Sequence, residues 1–100
     1  MYIIFLKFSE NRKNAAQYMA GHKKWLSDGI KDGDFLMAGT LGNGLGGAVL
    51  ARGGSLAAMQ ELVNEDPFVR AKVVTAEIHE FTPSVAADAF QALLVKEAAE

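Results

Sequence analysis

The chain has 100 residues, half of them apolar, with ten Lys and Arg against twelve Asp and Glu for a net charge of −2. That composition describes one globular domain with a modest core, not a disordered chain. The lack of any Lys/Arg run excludes nucleic acid as the main partner. The absence of cysteine excludes disulfides, thiolate zinc sites and Cys nucleophiles, and suits a reducing compartment. No basic segment followed by an apolar one opens the chain, and no apolar run approaches the ~20 residues of a membrane-spanning helix. The expectation is a soluble, cytoplasmic protein with no membrane partner.

Tyr2–Phe8 is β-branched and aromatic, and reads as a strand that is apolar on both faces until Lys7. Ser9-Glu10-Asn11 is a polar turn able to cap a helix over about Asn11 to Lys31. Within that helix Ala15, Tyr18/Met19, His22, Trp25/Leu26 and Gly29/Ile30 recur at spacings of three and four, so they share one face. A titratable ring thus occupies a position where the pattern calls for Leu or Ile. Gly21 beside it is a weak point in a helix unless another backbone or a ligand comes close there. Gly29 reads as helix-end spacing.

Phe35–Ala38 is a second strand, Gly39–Gly47 a glycine-rich connection, and Ala48–Arg52 a third strand, the two strands forming a hairpin. Ser55 caps a short amphipathic helix carrying Leu56, Met59, Leu62 and Val63. Asp66-Pro67-Phe68 follows, then a fourth strand from about Val73 to Thr82. Val74, Ala76 and Ile78 lie on one face of it, Thr75, Glu77, His79 and Phe81 on the other. Thr82 with Pro83 is predicted to start a last helix, with Ala86, Ala89/Phe90 and Leu93/Leu94 on one face.

The order β-α-β-β-α-β is the ferredoxin-like split βαβ pattern: an α+β fold with two helices on one face of a four-stranded antiparallel sheet, plus an extra C-terminal helix. The expected division is a ferredoxin-fold unit over residues 1–83 and a helical extension of the same domain over 84–100. In a monomer the second sheet face would be wet and the strands would alternate, yet three of them are apolar on both sides. A second copy packed sheet to sheet is the simplest cover, which makes the chain a homodimer. The C-terminal helix is the other candidate cover.

Gly42–Gly47 satisfies the G-x-G-x-x-G spacing of dinucleotide sites, but such a turn must open a helix, and here a strand follows. No cofactor is expected. His22 and His79 have no neighbour at zinc-ligand spacing, so no metal is expected either. For His22 the plainer reading is a core histidine satisfied by one hydrogen bond. The functional reading is a general base, since imidazole changes charge near neutrality and a carboxylate can fix its tautomer. Asp66-Pro67 is accounted for as a helix N-cap with Pro at the first position. A cap and a functional carboxylate are compatible, because one oxygen can bond the backbone while the other faces a cleft.

The chain resembles the YciI-like (YCII-related) family of the dimeric α+β barrel superfamily. The resemblance rests on Tyr2–Phe8, His22-Lys23-Lys24-Trp25-Leu26, Gly33, Leu36, Ala38-Gly39, Gly47, Asp66-Pro67-Phe68-Val69, Glu77-Ile78 and Phe81. It implies a ferredoxin-like protomer, a homodimer forming a dimeric α/β barrel, and a pocket holding a His–Asp pair, here His22 and Asp66. One branch of the family is similar to enzymes that eliminate chloride from a chlorinated, hydroxylated aromatic. Muconolactone isomerases and cofactor-independent monooxygenases are neighbouring families. Where relatives often carry Pro after Ala/Ser-Gly, this chain has Thr40 after Gly39.

The leading expectation is therefore a small cofactor-independent enzyme, a lyase or isomerase, acting on a small aromatic or enolisable molecule. His22 moves the proton and Asp66 orients it. Trp25 and Phe68 are candidate apolar walls for the ligand, and Thr40 and His79 outside candidates for polar contacts. The alternative is a non-catalytic ligand-binding or accessory dimer in which the pair fixes geometry. A purely structural His22 is the third reading.

Overall fold

In the computed structural model, which describes residues 1–98, four strands form one antiparallel sheet in the order β2-β3-β1-β4. The strands are β1 (Tyr2–Phe8), β2 (Phe35–Thr40), β3 (Gly46–Ala51) and β4 (Val74–Glu80). Between them lie helices α1 (Ala15–Lys31), α2 (Leu56–Asn64) and the single-turn α3 (Pro67–Arg70), and α4 (Gln91–Ala98) follows the sheet. This is the ferredoxin-like α+β fold.

Alternation along β1 sets the two layers. Tyr2, Ile4 and Leu6 are buried under the helices, while Ile3, Phe5 and Lys7 point to the opposite face. Val49 and Ala51 of β3, Phe35 of β2 and Val74 of β4 join the buried set. They meet Trp25 of α1, Met59 and Val63 of α2 and Phe68 of α3 in one core. Burying each large apolar side chain contributes about 1.5–3 kcal/mol, which outweighs the weak helix propensity of glycines in α1.

Two glycines of α1 set how closely its neighbours pack. A Cβ at Gly29 would fall 2.1 Å from Phe35 Cδ2, so the buried Gly29 is where the Phe35 ring seats, not helix-end spacing. At Gly21 a Cβ would lie 2.9 Å from Pro67 Cγ, so the absent side chain lets α3 approach α1 next to His22.

Several predicted boundaries move. The α1 helix is preceded by a 3-10 turn, Arg12–Asn14, and Asn11 makes no side-chain cap. The hairpin is tighter than its glycines suggest. Thr40 pairs with Gly47, leaving residues 41–45 as the connection, closed by Leu41 N–H to Gly46 O at 2.9 Å. Neither Thr82 nor Pro83 starts the last helix: residues 81–87 are irregular, a 3-10 turn spans Asp88–Phe90, and α4 begins at Gln91. The topology explains the delay. The chain leaves β4 at one edge of the sheet, yet Phe90, Leu93 and Leu94 share an apolar cleft of about 390 Å³ with Leu36, Met37 and Leu50 of β2 and β3. Crossing the sheet takes roughly three strand spacings of ~4.8 Å, which extended chain covers at ~3.3 Å per residue and helix at only ~1.5 Å.

Candidate functional site

Asp66 is held in place by the local backbone. Its φ of −63° and ψ of 122° are extended, Pro67 takes the first helical position of α3, and Oδ1 accepts the Phe68 N–H at 3.0 Å. This is the N-cap that the Asp-Pro pair predicts. The same oxygen accepts from His22 Nδ1 at 2.9 Å. Cap and histidine partner are one atom, not two oxygens with separate tasks.

Asp66 is 0% exposed, and its Oδ2 is buried with no hydrogen-bond partner. An unfilled buried acceptor costs about 1–3 kcal/mol, and burying a carboxylate costs more unless it is paired. Stability alone is poorly served by this arrangement, which makes the pair a candidate for function.

The His22 ring is fixed on two sides. It stacks on Phe68 with ring centroids 4.0 Å apart and planes 7° from parallel, and its Nδ1 edge is tied to Asp66. An ionised carboxylate only accepts, so Nδ1 carries the proton and the neutral ring keeps its lone pair on Nε2. No hydrogen bond engages Nε2 among the described residues. The side chain is 14% exposed, through a cavity that it lines.

That cavity has a volume of about 310 Å³ and opens between α1 and the helix-facing side of β1, β2 and β3. Its walls are mainly apolar, with Leu6, Phe8, Leu26, Val49 and Phe68 among them. Its polar groups are His22, Lys23, Thr40 and the strand backbone near Gly39, Gly46 and Gly47. Of the residues singled out in the sequence, His22, Thr40 and Phe68 line it, and Asp66 stands behind His22.

Trp25 and His79 are placed elsewhere. Trp25 is a core residue, its indole N–H donating to Leu62 O at 3.0 Å and its ring meeting Phe35 edge-on at 4.9 Å. The bond ties α1 to α2, and Trp25 is not part of the cavity wall. His79 pairs in register with Ile3 and so lies on the opposite sheet face, edge-on to Phe5 at 5.7 Å. The alternation of β4 rules it out as a group for this cavity. Lys23, conversely, borders the cavity although it follows His22 directly; its long side chain reaches a site that helical periodicity does not assign to it.

Among the described residues no group of three or more His, Asp and Glu side chains converges as a metal site, and no helix is long and apolar enough to cross a membrane. The glycine-rich segment Gly42–Gly47 runs into β3, whose first residues are Gly46 and Gly47, and opens a strand, not a helix.

The YCII-related domain family matches residues 1–82. Among solved structures the fold is similar to 5-chloro-2-hydroxyhydroquinone dehydrochlorinase from Burkholderia phenoliruptrix, in complex with 2,5-dihydroxybenzoquinone, at a TM-score of 0.67. The two chains share 17% identity over 83% of this chain and 94% of that one, a likeness of fold. No curated protein matches. On the domain match, the chain belongs to the YCII-related domain family.

Proposed function

We propose that the cavity is the site of a cofactor-independent proton transfer, of lyase or isomerase type, on a small aromatic or enolisable organic molecule. The observation that carries this reading is the 2.9 Å contact between His22 Nδ1 and Asp66 Oδ1 at the wall of the cavity. His22 Nε2 takes a proton from a carbon or hydroxyl of the substrate, and the electron pair left behind forms a new C=C or C=O bond. In an elimination the leaving group departs as an anion with its own bonding pair. In an isomerisation the proton returns from Nε2 to a different carbon. Asp66 holds the ring orientation and stabilises the imidazolium formed in between. The fold-level neighbour, a dehydrochlorinase of a hydroxylated aromatic, supports this reaction class.

The protein acts as a homodimer in this proposal, with the apolar residues Ile3 and Phe5, on the sheet face away from α1, α2 and α3 and beside the cleft that α4 borders, meeting a second copy. The double use of Asp66 Oδ1 as cap and histidine partner also fits a non-catalytic ligand-binding dimer, in which the pair only shapes the pocket.

The test is a panel of halogenated hydroxyhydroquinones and enolisable ketones in D₂O, read by halide release and by deuterium incorporation at carbon. Turnover that His22→Gln abolishes is expected. Ligand binding without turnover or exchange favours the non-catalytic reading, and turnover undiminished in His22→Gln contradicts the pair mechanism.

A further inference from the structure

The charges around the cavity do not follow those of the chain. Acids outnumber bases overall, twelve to ten, yet no Asp or Glu lines the cavity, while Lys23 does. The adjacent Lys24 is engaged, its Nζ 2.7 Å from Asp28. Lys23 makes no ion pair among the described residues. A second cation stands at the rim, where the Arg12 guanidinium sits 4.3 Å over the ring of Phe8, itself a wall residue. Its one hydrogen bond is to Gly44 O at 3.3 Å, and no carboxylate neutralises it among the described residues. The Thr40 hydroxyl is likewise unengaged there. Asp66 is fully buried behind His22, and its Oδ1 accepts two hydrogen bonds.

Two unpaired cations and a free hydroxyl around an apolar cavity without acids select a ligand by charge. The walls favour a flat one. The Phe68–His22 stack closes one side, and Gly39, Gly46 and Gly47 contribute only backbone to another.

We infer that the cavity takes a planar organic monoanion, a phenolate, enolate or carboxylate, and that Lys23 is the residue that selects it by its charge. This deepens the proposed function and rests on the same cavity being the ligand site. A substrate anchored by its anionic oxygen at Lys23 would present a neighbouring proton to His22, and Lys23 would stabilise the negative charge that grows as that proton leaves.

The test uses two probes of nearly equal shape, benzoate and benzamide, titrated into the 100-residue chain at neutral pH and read by calorimetry and by the ring resonances of His22. Benzoate is expected to bind about tenfold more tightly than benzamide. The preference should shrink with added salt. Lys23→Gln is expected to erase it, and Lys24→Gln, whose side chain is outside the cavity, should leave both affinities as they were. Equal binding of the two probes with His22 perturbed by both overturns the charge inference and leaves the site reading intact. A benzoate preference that survives in Lys23→Gln overturns the role of Lys23. If neither probe binds at millimolar concentration and His22 does not respond, the cavity itself is not the site and both readings fall.

Discussion

The ring of His22 lies parallel to that of Phe68 at 4.0 Å, and the Phe68 amide donates to the same Asp66 oxygen that His22 holds. One residue therefore supports both members of the pair, the histidine by its ring and the aspartate by its backbone. The turn that starts α3 positions the carboxylate whether or not His22 is charged. The consequence is a ring with little freedom, whose Nε2 is left for the cavity.

Substitution of Asp66 separates stability from chemistry. Asp66→Ala removes the cap and leaves His22 without its partner, and should cost about 3–5 kcal/mol in urea unfolding. Asp66→Asn keeps an oxygen for both donors and should cost clearly less. In the proposed mechanism it also removes the charge that would support imidazolium, so turnover in this variant should then fall about 10²–10⁴-fold. Equal losses of stability in the two variants would show that charge, not the accepting oxygen, holds the fold here.

The two glycines of α1 should respond against helix propensity. Gly to Ala within a helix normally gains up to ~1 kcal/mol. At Gly29 the new methyl would overlap the Phe35 ring, with Cδ2 at 2.1 Å, so Gly29→Ala should instead destabilise by about 1–3 kcal/mol. At Gly21 the nearest atom is Pro67 Cγ at 2.9 Å, so Gly21→Ala should yield no gain and should move the His22 ring resonances as α3 is pushed away. Thermal unfolding and a proton–nitrogen correlation spectrum check both.

On the sheet face away from the helices, Glu77 hydrogen-bonds Lys7 with 3.1 Å between Oε2 and Nζ, and this cation holds its carboxyl below the usual carboxylate range. His79, 3.8 Å away, adds to the shift in the same direction. A lowered folded-state value stabilises the protein above the unfolded-state value of Glu77, and that contribution is lost as pH falls through the lowered value. Both groups are exposed, so the effect is small and screened by salt. Carbon-detected titration should place Glu77 below the other glutamates at low salt, and Lys7→Met should return it towards them.

Assembly has its own test. Ile3, Phe5, Leu50 and Met37 share the face away from α1, α2 and α3; the α4 segment borders Leu50 and Met37 and leaves Ile3 and Phe5 beyond the cleft. Sedimentation at micromolar concentration should give a dimer, and Phe5→Lys, on the same face but outside the α4 cleft and opposite Glu77, should give a folded monomer by circular dichroism. A well-folded wild-type monomer would contradict the sheet-to-sheet proposal.

The elements of the sheet and its helices were legible because their signals are local and periodic. The stripe through His22 and Trp25 marked the buried side of α1, and the β-branched and aromatic run Tyr2–Phe8 marked a strand. The cap at Asp66 was legible because Pro fixes its neighbour's backbone. Other features depended on the third dimension. The sequence pairs nothing with Gly29, whose reason is a ring on β2, and nothing with Gly21, whose reason is Pro67. His79 carries the same chemistry as His22, and only the alternation of β4 against β1 sends it to the other face. Trp25 sits on the His22 side of α1, but its indole N–H finds a carbonyl of α2, which a helical stripe does not foretell. The start of α4 was misplaced because Thr-Pro is a good local cap, and the distance the chain must cross overrides it.

The most direct measurement of the pair is nitrogen-15 spectroscopy of the His22 ring in the folded protein, with and without a benzoate ligand. The proposed pair requires a proton on Nδ1, shared with Asp66, and an unprotonated Nε2 in the neutral ring, with the Nε2 resonance moving when benzoate enters the cavity and the Nδ1 pattern lost in Asp66→Ala. A neutral ring protonated on Nε2, with Nδ1 indifferent to the removal of Asp66, would contradict it.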